Sequence, residues 1–127
     1  MTCKRFGGKM ILTYGGRKFE ITGNVELDTT GRTRETKVTA SGMLYSTEEL
    51  KPGLLTVELL ETVSGNAFNG LFELCDVNLT LVEVTARVVH ICPRATMTGD
   101  VKRDRKTGQI SGVMFAFRAD EYRETAL

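Results

Sequence analysis

His90 and Cys92 are the pair in this chain best suited, by type and spacing, to do chemistry. Residues two apart in an extended strand point the same way, so an imidazole base and a thiol nucleophile could share one face there. The surroundings argue for a structural histidine instead. His90, the only histidine, sits among Val88, Val89 and Ile91, and no neighbouring Asn or Asp supplies the orienting third group that a working dyad needs. The cysteines number three (Cys3, Cys75, Cys92) with no CxxC spacing, so neither zinc nor dithiol redox chemistry is supported. No Walker loop, dinucleotide fingerprint, HExxH or GxSxG motif occurs. The carboxylates are scattered in positions that a solvated face explains. The cluster "VKRDRKTG" could meet phosphate, yet it holds no aromatic residue on which a base could stack. It reads as a solvated hairpin tip or a contact to another subunit. These residues point to a protein that is not an enzyme, with no cofactor and no metal.

The elements that position these residues are mostly strands. At 127 residues, with 41% hydrophobic and 26% charged residues, the chain has the make-up of one globular domain spanning residues 1–127. A net charge of +1 gives no overall sign of a nucleic-acid or membrane-surface binder. No apolar run approaches the ~20 residues of a membrane span, and "MTCKRFGGKMILTY" lacks the apolar core of a signal peptide. Synthesis and folding in a cytoplasm are therefore expected. Thirteen glycines and two prolines among many Thr, Val and Leu favour β structure.

After a polar N-terminal tail, 1–8, the run Lys9–Tyr14 meets Gly15-Gly16 and turns into "KFEITGNVELD", which predicts a hairpin. Gly23 falls on the apolar parity of that long strand and predicts a bulge or bend. From residue 29 to 53 the period dissolves, and so long an irregular segment in a compact domain is expected to be functional or disordered. Leu55, Val57 and Leu59 predict a further strand, and Phe68, Leu71, Phe72 and Cys75 predict a short helix over Asn66–Leu74, capped near Ser64. Strands are expected at Asn78–Val84, Arg87–Arg94, Met97–Lys102 and Gln109–Ala119. Thr85-Ala86 matches the favoured hairpin turns poorly. The predicted architecture is mainly β: two packed antiparallel sheets, sandwich- or barrel-like, with one short α-helix.

In the long strand Phe19, Ile21, Val25 and Leu27 share one parity and face a core. Glu20, Thr22, Asn24, Glu26 and Asp28 share the other, and their use is less obvious. They meet either bulk water on a monomer or a surface made by assembly.

The order of features answers that question. An N-terminal hairpin is followed by a loop with Arg34-Glu35 in "GRTRETKV", then "TASGMLY", then Pro52 before a strand, the short helix, and a last hairpin ending "ISGVMFAFRADE". This order resembles the tail tube proteins of contractile-tailed, Mu-like bacteriophages over roughly residues 15–124. Thr85-Ala86 departs from the glycine turn usual there, and "GMLYSTEELKPG" lacks that family's repeated glycines.

The resemblance implies a structural subunit of hexameric rings that stack into a hollow tube, its strands joining an inner β-barrel around the lumen. Its implied partners are further copies of itself, a tail sheath protein, tube initiator and terminator proteins, and double-stranded DNA that passes through without specific binding. Its implied location is the tail tube of a virion, after synthesis in the host cytoplasm. Glu20, Thr22, Asn24, Glu26 and Asp28, with Thr56 beside them, would then line the channel, where acidic groups discourage DNA from sticking. The segment 29–53 becomes an inter-ring loop, with Arg32, Arg34, Glu35, Lys37, Met43, Leu44 and Tyr45 as its contacts; cations mixed with apolar anchors suit an interface. A type VI secretion-like tube protein is the rival with the same architecture, and a small β-barrel binding module is the rival of another class.

Cys75 and Cys92 read as buried thiols, whereas Cys3 lies in an exposed terminus. Two outcomes stand open: three free thiols, or, in an oxidising environment outside the cell, a disulfide bond between copies from Cys3 to Cys75 or Cys92 of the next chain.

Overall fold

The computed structural model describes residues 5–62 and 65–127. Strand β1 (Met10–Tyr14) turns at Gly15-Gly16 into β2 (Arg17–Asp28), with Tyr14 facing Arg17. Both glycines have positive φ (60° and 78°), the backbone of the tight hairpin turn whose twist matches its strands. The chain then forms β3 (Arg32–Val38), β4 (Leu44–Leu50), β5 (Gly53–Leu60) and helix α1 (Gly65–Phe72). After the helix come β6 (Val77–Glu83), β7 (Val88–Thr98), β8 (Lys102–Arg103) and β9 (Gln109–Phe117). A 3₁₀ turn at Ala119–Glu121 leads into β10 (Arg123–Ala126).

Eight strands form one antiparallel sheet in the order β10-β7-β6-β1-β2-β5-β9-β8, and a further pairing of β7 with β9 closes it. The result is a six-stranded barrel, β7-β6-β1-β2-β5-β9. Closure removes the open edges that make long strands prone to aggregate. The seam is partial. Only Thr96–Thr98 of β7 pair with β9, and below them β10 covers Val88–Ile91 while β8 covers Ile110 and Ser111.

The interior follows from alternation. On β5, Gly53, Leu55, Val57 and Leu59 are buried while Leu54, Thr56, Glu58 and Leu60 are half-buried on the outside. Leu12, Tyr14, Phe19, Leu79, Leu81, Ile110, Val113 and Phe115 fill the rest of the barrel. Each such side chain contributes about 1.5–3 kcal/mol through loss of water contact. The Tyr14 hydroxyl stays satisfied inside by accepting from the Met97 N–H at 3.3 Å and donating to the Leu74 carbonyl at 3.4 Å. Helix α1 adds Phe68, edge-on to Phe19 with ring centres 6.4 Å apart, and Leu71.

Several expectations need correction. Residues 29–53 are not irregular, because β3 and β4 pair in strict register as a two-stranded ribbon. Their alternation is hidden because every strand residue of the ribbon is exposed, so burial selects neither face. The helix stops at Phe72, two residues before the predicted end. There the Leu74 N–H bonds to the Leu71 carbonyl and Asp76 takes a positive φ of 55°, ending the helical spacing. The expected Ser64 cap lies outside the described residues. The strands expected over Arg87–Arg94 and Met97–Lys102 are largely one strand, β7, carried past Pro93 by a bulge at Arg94 (φ 56°). Thr85-Ala86 is the middle of a longer turn, in which Arg87 takes the left-handed conformation.

Candidate assembly surfaces

The polar face of β2 lies on the outside of the barrel wall. Glu20, Thr22, Asn24 and Glu26 are exposed there, and Asp28 is half-buried. Cross-strand register extends this face over two more strands, with Glu26 opposite Thr56 and Thr56 opposite Met114, then Asp28 opposite Leu54 and Leu54 opposite Ala116. Between the pairs Ile21–Leu59 and Val25–Val57, the three residues Thr22–Asn24 stand against Glu58 alone, which is the bulge that Gly23 predicts. A Cβ on Gly23 would lie 1.7 Å from Glu58 Oε2. The Glu58 side chain therefore folds across the glycine, and its carboxylate accepts from the Gln109 amide at 2.6 Å. Glu58 belongs to this face as much as Glu20 does. Its alternation with Val57 and Leu59 was the signal that could have placed it there.

Asp28 is not a free charge. It forms an ion pair with Lys51 at 2.7 Å and accepts from the Thr30 N–H and hydroxyl. The Lys51 hydrogen bond, followed by those from Thr30, lowers its carboxyl to about 2. The freely presented acids of the strand are Glu20 and Glu26.

The β3–β4 ribbon carries all the predicted contact residues. Arg32, Arg34, Glu35, Lys37, Met43, Leu44 and Tyr45 are exposed. Arg34 pairs not with its neighbour Glu35 but with Glu48 across the ribbon (2.7 Å), because adjacent strand residues point to opposite faces. Arg32 also approaches Glu48, at 3.6 Å. The free end is apolar: Val38 is 61% exposed, Met43 66% and Leu44 68%, with Tyr45 beside them. A two-stranded hairpin with nothing behind it is marginal in water.

His90 and Cys92 both face the buried side of β7, and both ring nitrogens of His90 are taken by groups other than the thiol, in keeping with a structural histidine. Tyr122 takes His90 Nδ1 at 2.5 Å, and the Glu83 carboxylate takes Nε2. A carboxylate oxygen accepts, so Nε2 donates to Glu83, and the Tyr122 hydroxyl can donate its hydrogen bond to Nδ1. Burial is the main cause that pushes the Tyr122 hydroxyl up to about 12, so it keeps its proton. This chain of bonds fastens the C-terminal strand to β6 and β7. Sequence reasoning missed it because Glu83 and Tyr122 are remote in the chain.

Burial raises the Cys92 thiol to about 12 and seals it from any partner. Cys75, expected inside, is exposed just past the helix. Cys3 lies outside the described residues, so of its two proposed partners only Cys75 presents a thiol to solvent. At the basic tip, Arg103 and Arg105 are both held by Glu61, the former through Nε at 2.6 Å. Those bonds, Arg105 first, hold the Glu61 carboxyl below its ordinary value and leave less free charge for phosphate. Among the described residues, no three His, Cys, Asp or Glu side chains gather into a metal site, and no helix is long and apolar enough to cross a membrane.

The architecture defines the chain as a closed β-barrel with one short helix and a projecting two-stranded ribbon. No family model matches the sequence, and no curated protein matches it significantly. Several solved structures are similar. Among them is Hcp1 from Flavobacterium johnsoniae, 17% identical, with a TM-score of 0.57 over 94% of this chain and 97% of that one. At that identity the likeness establishes the fold, which is Hcp-like.

Proposed function

We propose that the chain is the repeating subunit of a hollow tube, in which hexameric rings stack through the β3–β4 ribbon and the outer face of β2 lines the channel. The observation that carries this reading is the ribbon itself, an element that buries nothing in its own subunit and ends in exposed Val38, Met43, Leu44 and Tyr45. Such an element gains its stability from a neighbour. The barrel adds a long strand with polar groups on its outer face, so the channel wall would be hydrated and acidic at Glu20, Glu26 and Glu58.

The order of sequence features favours a phage tail tube, sheathed, bounded by initiator and terminator proteins, and threaded by double-stranded DNA in the virion. The Hcp1-like fold favours a second reading, a type VI secretion-like tube. The two share a subunit and differ in cargo and release. Recovery of the chain from purified DNA-containing particles after lysis supports the first, and recovery from the medium of intact growing cells supports the second. Assembly itself is tested by replacing residues 33–49 with a short Gly-Ser linker. The barrel should stay folded by circular dichroism while the sedimenting polymer disappears. Undiminished polymer from the shortened chain contradicts the role given to the ribbon.

A further inference from the structure

The two ends of the barrel are finished differently. Helix α1 closes the end at the Gly15-Gly16 turn, where Leu71 and Leu74 pack on Gly15 and Phe68 meets Phe19. At the other end the wall is incomplete. β1 stops at Met10 and accompanies β2 only as far as Glu20, so β2 from Thr22 onward has no strand on that side among the described residues. The gap opens into a cleft of about 510 Å³, a size typical of small-molecule sites in barrel mouths.

Met10, Ile21 and Val25 wall this cleft with apolar side chains continuous with the core. Phe6 stands at its rim, 82% exposed, on a tail laid there by Gly7 and Gly8, both of positive φ. A Cβ on Gly8 would lie 2.1 Å from the Thr85 hydroxyl, so the tail passes at a distance only glycine allows.

Glu83 is the one charged residue among those that line the cleft. It faces inward opposite Met10, with its side chain only 16% exposed. Its Oε2 accepts from His90, whereas its Oε1 receives no hydrogen bond among the described residues. That oxygen is not sealed in, since no buried polar side-chain atom of the described residues lacks a partner. The charges around the mouth are mixed: Arg5 and Lys9 on the tail, Glu20 and Glu26 on β2, and Glu124 opposite His90 on β10. Neither tail cation forms an ion pair with Glu83. Burial first, then Glu124, with Glu83 contributing as well, raises the Tyr122 hydroxyl, so negative charge gathers on the inner side of the mouth.

We propose that the cleft binds a small amphipathic amine, its ammonium group on Glu83 Oε1, its hydrocarbon chain against Met10, Ile21 and Val25, and Phe6 over its outer end. An ammonium makes a charge-assisted hydrogen bond to this carboxylate that a neutral or anionic head of the same size cannot match. His90 and Tyr122 are then positioning residues, holding the carboxylate at the cleft floor. The site goes beyond the tube reading and does not depend on it.

The test uses the full chain at neutral pH and three probes of equal chain length: n-hexylamine, 1-hexanol and hexanoate. Saturation-transfer NMR reads the ligand and therefore serves for monomer or polymer alike. Hexylamine should bind saturably and about ten-fold tighter than either control, the margin expected of a hydrogen bond to a charged group. Glu83→Gln should erase that margin, and Phe6→Ala should weaken hexylamine several-fold. Thr22→Trp, which sets a large ring at the exposed rim, should block all three probes. Equal binding of the three probes to the wild-type chain, or no binding of the amine, overturns the proposal. So does an amine preference that survives Glu83→Gln. Where Glu83→Gln fails to fold, Thr22→Trp decides, and undiminished hexylamine binding in that variant overturns the site.

Discussion

The Glu58 carboxylate occupies the space above Gly23, so the largest irregularity in β2 is built by one side chain lying over a missing one. Gln109 holds that carboxylate from the far strand, at 2.6 Å. A Gly23→Val substitution should displace Glu58, break this bond and cost about 1–3 kcal/mol, the range for forced repacking. Urea unfolding of the variant measures it. A stability equal to wild type would show that the bulge tolerates a side chain.

The Asp28–Lys51 pair predicts an acid-sensitive link at the ribbon root. The folded carboxyl sits at about 2, below its ordinary value, so its contribution is present above the unfolded value of about 3.9 and is lost as pH falls toward 2. In Lys51→Met the Asp28 midpoint should rise toward the ordinary value. A carboxyl-carbon NMR titration reads the shift directly, and an unmoved midpoint would mean that Thr30 alone holds the charge.

Removing the Tyr122 hydroxyl should loosen the C-terminal strand. Tyr122→Phe leaves His90 Nδ1 buried without its donor, a loss of about 1–3 kcal/mol. Amide exchange should accelerate in β10, where Arg123 and Glu124 face Ile91 and His90. Unchanged protection in β10 would assign its docking to Phe117 and the backbone ladder rather than to the hydroxyl.

The thiols should separate sharply in reactivity. In a Cys3→Ser chain, a thiol-specific reagent at pH 8 should label Cys75 in the native protein and Cys92 only after unfolding, because the thiolate is the reactive form and burial suppresses it at Cys92. Quantitative native labelling of both would contradict a sealed barrel.

How far the sequence revealed this molecule depended on burial. Where one face was buried, as in β2, β5 and β9, alternation gave the strands, and the Gly23 irregularity marked its bulge. Where both faces met water, as in β3 and β4, no period survived and a ribbon looked like a loop. Barrel closure was not legible either, because it depends on Thr96–Thr98 meeting Met114–Ala116, a pairing that alternation alone does not specify. Among the site residues, the polar row from Glu20 to Asp28 was legible as a face. The neutralisation of Asp28 was not, since Lys51 lies beyond the whole ribbon. Cys75 was misplaced because the apolar spacing of Phe68, Leu71 and Phe72 continued on paper past the point where Asp76 turns the chain.

The central claim is that this subunit builds a tube with the β2 face toward the channel. Cryo-electron microscopy of the purified, concentrated chain tests it most directly. The account predicts stacked six-fold rings, with Glu20 and Glu26 on the channel wall and the ribbon reaching from each subunit into the next ring. Monomers that persist at high concentration, or tubes whose channel is lined by another face of the barrel, would contradict it.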